Sequence, residues 1–489
     1  MKRPQDTNSI TGQVSRKRGA VLFGTAMALV LSACTTPQVA IPEPGIAVPL
    51  DWVETDPAPV SVDITEYWLL LDDPLLTELV EAAIANNLDI AQSAARLKQS
   101  RASLVQARAQ WFPNIGASGS ANRDLGDNNP GDTFFSLGAD AGWELDLFGQ
   151  IGNNVASAQA DLAAAGYNLA DLQRAIVGQV AISTINARSI AQQLEIARST
   201  LEYQEDNLEI ARWRNQAGLV SSLDVEQART QRAQTAASIP ALESSLASTA
   251  NAISTLIGEP PGRVLAEFQD AKPVPTPVNL AGFEAPAEVL SRRPDVRAAE
   301  ANLISSTARV GVARAQLLPL VRLSGNIGTN ALGIDNLFDI LTAGVGGTIS
   351  QLIFDAGRTQ AQIDSAKAAA EASLAAWEQS ILGALEDVES AAVDQRSANQ
   401  RITINEEALD AANNSALLAR SQYQAGLTDF RTLLSAENAL LSSRNQLVST
   451  QADRASAFVR LTQALGGGWR PADFPDASLS TPATDRTQP

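Results

Sequence analysis

Histidine is absent from all 489 residues. That removes imidazole acid–base chemistry, Ser-His-Asp triads and histidine-ligated metals. Cysteine occurs once, as Cys34, so the chain can form no internal disulfide and no cysteine-rich metal site. Beyond the N-terminal segment there is no run of about 20 apolar residues, which excludes a spanning helix in the mature chain. It does not exclude a membrane β-barrel, whose strands only alternate. Net positive charge is lacking too. The balance is −18 with a pI near 4.5, the wrong sign for a nucleic-acid partner. No phosphate-cradling glycine loop is found. These absences point away from an enzyme and imply neither cofactor nor metal.

What is present is a duplication. Ala107, Gln110, Trp111, Phe112 and Pro113 are matched by Ala313, Gln316, Leu317, Leu318 and Pro319, 206 residues later. Gln216-Ala217-Gly218-Leu219 recurs as Gln424-Ala425-Gly426-Leu427 at an offset of 208. Phe148-Gly149 and Ala356-Gly357, and Ile257-Gly258 and Leu465-Gly466, keep that same offset of 208. The chain is a duplicated unit of about 200 residues.

The N-terminus carries Arg16-Lys17-Arg18, a short apolar stretch from Ala20 to Val30, and Leu31-Ser32-Ala33-Cys34. This reads as a signal peptide over 1–33. The small residues before a lone cysteine resemble a bacterial lipobox, which makes Cys34 the acylated first residue of a lipoprotein. Thr35 behind it, by resemblance to the bacterial sorting rule, favours the outer membrane. Residues 34–62 are proline-rich and read as an extended tether.

The first repeat occupies 63–258. Asp72-Asp73-Pro74-Leu75 suits a helix start, and a second helix runs from about Asp89 to Gln110. The period then changes from 3.6 to 2, giving a β-hairpin over 114–148. Phe135, Leu137, Ala139, Ala141, Trp143, Leu145 and Leu147 share one face; Phe134, Ser136, Gly138, Asp140, Gly142, Glu144 and Asp146 share the other. The loop is the Gly/Asn/Asp/Pro-rich stretch from Asp124 to Asp132. Strands of this length and alternation fit an outer-membrane barrel, apolar to lipid and polar to the lumen. A soluble antiparallel sheet with one wet face fits the pattern equally; the lipid anchor and the duplication favour the membrane.

A long helical hairpin over 149–258 follows. Val155, Leu162, Leu169 and Ile176 recur every seven residues. A shift of four then gives Val180, Ala187, Leu194, Leu201 and Leu208. Sevens make coiled coils, and a four-residue insertion is a stutter. Gly218 ends the first helix, and Pro240 predicts a kink or break in the returning one. A linker spans 259–287. The second repeat, 288–466, has its β-hairpin at 320–354 and its helical hairpin at 357–465. The seam there runs Leu374, Ile381, Val388, Gln395, Ile402, Leu409, Ala416 and Tyr423. Residues 467–489 form a tail.

The lipobox, Asp73-Pro74-Leu75, Asn87-Leu88-Asp89, Arg293-Pro294-Asp295-Val296, Phe354-Asp355-Ala356-Gly357-Arg358 and Leu465-Gly466-Gly467-Gly468-Trp469 together resemble the outer-membrane efflux protein family of the TolC/OprM type. The likeness is strongest to its NodT-like lipoprotein branch. The resemblance implies a mainly α fold with a β-barrel part. Three chains would close a 12-stranded outer-membrane β-barrel, continued by a long α-helical coiled-coil periplasmic tunnel. Oligomerisation follows from physics as well, since four strands cannot close a barrel and open edges in lipid are costly. The implied role is a passive exit duct, working with a periplasmic adaptor and an inner-membrane pump, most often of the RND type. The duct of a type I protein secretion system and a structural coiled-coil envelope lipoprotein remain as alternatives.

The resemblance also places a gate at Asp224 and Tyr423 and adaptor contacts at Gly218, Leu219, Gly426 and Leu427. The same residues suit a solvated carboxylate, a tyrosine closing a seam, and plain helix caps. Ser435, Asn438 and Thr428 stand where other members carry gate aspartate or arginine residues, so the resemblance does not carry a constricting acidic ring onto these positions; Glu226, Asp429 and Glu437 are the nearby acidic residues that could substitute.

Overall fold

A computed structural model describes residues 40–54, 63–123, 133–278 and 284–470. The signal segment, Cys34, the 124–132 loop and the polar end of the tail lie outside the described residues.

In the helices the duplication is kept to the residue. Two helices of 22 residues, α2 (Leu88–Ala109) and α7 (Pro294–Ala315), each lead into a β-hairpin. Two of 67 residues, α3 (Gln150–Gln216) and α8 (Arg358–Gln424), follow the hairpins. Two of 35, α4 (Ser222–Leu256) and α9 (Phe430–Ala464), return. At 1.5 Å per residue the long helices extend about 100 Å. Three shorter α-helices also lie among the described residues: α1 (Pro74–Asn86), α5 (Arg263–Glu267) and α6 (Pro286–Arg292). Helix α4 runs through Pro240 without the break that proline allows; Pro240 is exposed, a position where water can bond the i−4 carbonyl that its missing N–H leaves free.

The chain divides into two compact units. One contains 100–161 and 301–374 and holds a four-stranded sheet, order β1-β2-β3-β4, antiparallel throughout. The strands are β1 (Asn114–Arg123), β2 (Thr133–Leu145), β3 (Leu320–Ala331) and β4 (Leu341–Ser350). Beneath the sheet, α3 and α7 touch closely. A Cβ placed on Gly311 would come within 2.6 Å of Asn153. Ser157 and Ser305 share a hydrogen bond of 3.1 Å, and Arg309 holds Asp161 through two bonds of 2.7 and 3.0 Å.

The other unit contains 44–99, 162–300 and 375–489 and is helical. Its core packs Leu76, Leu79 and Val80 of α1 against Val177, Val180 and Ile185 of α3, Ile253 of α4 and Phe458 of α9. Each such side chain contributes about 1.5–3 kcal/mol on burial, so tertiary burial rather than helix propensity holds α1. Asp73 caps α1, accepting from the N–H groups of Leu75 (2.9 Å) and Leu76 (3.3 Å). It also accepts from buried Arg188 at 3.0 and 3.2 Å. The seam residues named from the sequence are buried from Leu162 to Leu194 and again at Leu208, with Val155 and Leu201 half-buried; in α8, Ile381, Val388, Ile402, Ala416 and Tyr423 are buried.

Two segments read as connectors are packed rather than free. In the linker, Val264, Phe268 and Val274 enter the main core. In the tether, Trp52 is buried and donates to the Glu284 carbonyl at 2.7 Å. The order also continues past 467: Gly467 has no room for a Cβ, which would lie 2.5 Å from the Ile64 carbonyl oxygen, and Trp469 is buried edge-on to Tyr167.

Candidate channel site: an amphipathic sheet and the helical tips

Directly opposed residues of an antiparallel pair project to the same face. The register therefore decides whether the alternation seen along each strand survives across the sheet. It does. One row runs Gly116, Asp140, Asn326, Gly344; the next runs Ser118, Gly138, Gly328, Thr342. On the opposite face a row runs Ile115, Ala141, Gly325, Val345, and another Gly119, Leu137, Thr329, Leu341. All four strands thus share one polar and one apolar face. Ile115, Leu341, Val345 and Ile349 are 67–95% exposed, a fully wetted apolar surface if it met water. The polar face carries Asp140, Glu144 and Arg322, the last two 3.7 Å apart. They line a recess of about 600 Å³ with Gln106 and Gln110. Strands β1 and β4 each have one unpaired edge.

At the other site, each long helix ends in a Schellman motif. Gly218 (φ +72°) and Gly426 (φ +73°) supply the left-handed residue. The Leu219 N–H reaches the Arg214 carbonyl and the Leu427 N–H reaches the Gln422 carbonyl, both at 2.8 Å. Leu219 and Leu427 are 70% and 79% exposed, so each turn presents one apolar side chain outward.

The structure does not join Asp224 to Tyr423 within the chain. Asp224 forms a capping box with Ser221 at the start of α4, accepting from its N–H at 3.3 Å. The second copy swaps the chemistry: Asp429 caps α9 and accepts from the N–H and hydroxyl of Thr432 at 2.8 and 2.6 Å. Those bonds hold the Asp429 carboxyl below its ordinary range. The Asp224/Thr432 difference between copies is therefore an exchanged capping pair.

Tyr423 is buried against Phe430 and Leu433, and its hydroxyl has no hydrogen-bond partner among the described residues. Its neighbour is Arg214, which the sequence reading missed. The signal available was a basic residue in the last turn of α3 with none in the last turn of α8. Behind this pair, Asn207 donates 2.9 Å bonds to both Glu437 carboxylate oxygens, and Arg420 lies 3.4 Å from the same group.

A second missed cluster explains Arg292-Arg293-Pro294-Asp295. Arg292 donates to the Leu465 carbonyl (2.7 Å), Arg293 to that of Ala464 (3.1 Å) and Arg174 to that of Gln463 (3.1 Å). Three guanidinium groups satisfy the terminal carbonyls of α9, where the helix dipole favours cations. Burial opposes ionisation of Asp295, but the hydrogen bond and charge of Arg293 outweigh it and keep the carboxyl below its usual range. Among the described residues no cluster of acidic side chains could hold a metal ion, and no helix is long and apolar enough to cross a membrane.

An amphipathic sheet together with duplicated long helical hairpins is the fold of the outer-membrane channels. The solved channel OprN superposes with a TM-score of 0.80 at 32% identity, covering 89% of this chain and 99% of that one. Residues 79–259 and 285–467 match the outer membrane efflux protein family, one segment per repeat. The chain belongs to that family. Pyoverdine export outer membrane protein OpmQ of Pseudomonas aeruginosa is 30% identical over 456 residues, 90% of this chain and 95% of its own length. Nodulation protein T of Rhizobium leguminosarum is 29% identical over 424 residues, 84% of this chain and 89% of its own.

Proposed function

We propose that this chain is the outer-membrane duct of a tripartite efflux system, passing small molecules delivered by an inner-membrane pump through a periplasmic adaptor. The observation that carries the reading is the sheet: one apolar face, one polar face and two unpaired edges. In lipid those edges need partners, and a second copy's edges supply them. Three four-stranded sheets give a 12-stranded barrel, within the range of even-numbered outer-membrane barrels. The polar face then lines the lumen. The pyoverdine-export relative supports a small-molecule cargo, and an RND-type pump is the partner we favour.

The two Schellman turns, with Leu219 and Leu427 exposed, suit docking to the adaptor. Tyr423 and Asp224 stand at the same end of the hairpins, and the unpartnered Tyr423 hydroxyl suits a bond to a neighbouring copy in a closed gate. Cys34 is the proposed lipid-bearing residue, holding the duct to the outer membrane.

Purified protein in planar bilayers should conduct as a heat-labile trimer; a monomer without conductance would refute the duct. Mass spectrometry of the mature N-terminus should find Cys34 carrying acyl chains. A photo-crosslinker at Leu219 or Leu427 should capture an adaptor, and capture from a surface position on α2 alone would move the docking site.

A further inference from the structure

Thr329 lies on the apolar face of β3, opposite Leu137 and Leu341. It is nevertheless 4% exposed, while Asn330 beside it on the polar face is exposed. The cover comes from the β3–β4 connection (332–340), because the Thr329 hydroxyl donates to the Leu337 carbonyl. That connection is folded back over the apolar face rather than over the polar one. It is also unusually apolar for a loop tip. Leu332, Ile334, Phe338 and Ile340 are exposed to 57, 72, 75 and 64%. The connection runs directly into Leu341, the first residue of the exposed stripe Leu341, Val345 and Ile349. Its acidic residues, Asp335 and Asp339, are exposed as well.

We infer that the β3–β4 connection is a lipid anchor: it lies in the outward interface of the membrane, with Ile334, Phe338 and Ile340 among acyl chains and Asp335 and Asp339 at headgroup level. The inference rests on the reading of the apolar face as lipid-facing, with which the loop is continuous. Water would leave four large apolar side chains of one short connection wetted, whereas an interface accepts apolar and charged side chains together. A loop reaching over the polar face would instead leave Thr329 open and cover Asn330.

The test uses spin labels on single cysteines in the full chain reconstituted in vesicles, with the unsubstituted chain as the labelling blank. Phe338→Cys is compared with Val345→Cys, at mid-strand on the apolar face, and Asn330→Cys, on the polar face; Ile340→Cys gives a second reading if Phe338→Cys fails to assemble. Collision with oxygen should exceed collision with a water-soluble nickel complex at 338 as it does at 345, and the reverse should hold at 330. If 345 is lipid-like but 338 behaves like 330, the anchor is overturned and the barrel stands. If 338 meets neither quencher, another chain covers the loop and the anchor is again overturned. If 345 itself is water-like, the lipid-facing reading has failed.

Discussion

Arg214 donates to the carbonyl oxygen of Tyr423 at 2.9 Å and places its guanidinium 4.6 Å from the centre of the same ring. One side chain from the first repeat thus binds both the backbone and the aromatic face of a residue from the second, at the turns where the two helical hairpins end. The bond satisfies a carbonyl in the last turn of α8, and the ring contact adds a cation–π attraction of about 0.5–2 kcal/mol.

Arg214→Ala should therefore loosen the tips more than any single change at Asp224. We expect a loss of about 1–2 kcal/mol from the bond and the ring contact, with raised single-channel conductance. Arg214→Lys should recover only part, since an ammonium lacks the planar fork. Unaltered conductance in both variants would remove Arg214 from the closing machinery.

Asp224 has two separable roles, and two substitutions distinguish them. Asp224→Ala removes the reciprocal cap and should cost about 1 kcal/mol of local helix stability. Asp224→Asn keeps an acceptor for the Ser221 N–H and removes only the charge. Conductance raised by both assigns a gate role to the carboxylate charge; conductance raised by the alanine variant alone assigns it to capping.

Asp73 and Arg188 form a buried ion pair, with side chains 9% and 1% exposed. Asp73→Ala should cost about 3–5 kcal/mol, because it strands a buried guanidinium as well as uncapping α1. Arg188→Met should cost less, since Asp73 keeps its bonds from Leu75 and Leu76. Thermal melts followed by circular dichroism would rank them; the reverse order would contradict the capping role.

Acid should weaken the clasp on the end of α9. The Asp295 carboxyl is held below its ordinary value by Arg293 despite burial. Its contribution is complete above the unfolded value of about 3.9 and is lost as pH falls through the lower folded value. Asp295→Asn should thus lower the urea midpoint at pH 7, and the gap from the unsubstituted chain should shrink toward pH 3. A gap that is constant with pH would mean the carboxylate charge is not what holds the clasp.

Gly311→Ala tests the contact between α3 and α7. The added Cβ would meet Asn153, whose Nδ2 is committed to the Gly149 carbonyl. Displacing it should cost about 1–3 kcal/mol. An unchanged melting temperature would indicate that the two helices separate freely.

The sequence by itself determined every feature that repeats along the chain. The 206- and 208-residue offsets prefigured helices of equal length. The alternation of Phe135 to Leu145 prefigured two faces, and the glycines at 218 and 426 marked the turns. Such signals are local: a period or a left-handed residue constrains its own element whatever lies opposite. Tertiary structure alone decided which elements meet. It brought Arg188 to Asp73 across 115 residues and Arg214 to Tyr423 across 209. It also set three arginines on the last carbonyls of α9. A guanidinium can satisfy any carbonyl or carboxylate within reach, so its residue type names no partner. Asp224 divides between the two: its place three residues after Ser221 is a capping box written in the local sequence, whereas a gate role would depend on what a neighbouring copy brings to it. Residue type set what each side chain could do, and packing chose among the possibilities.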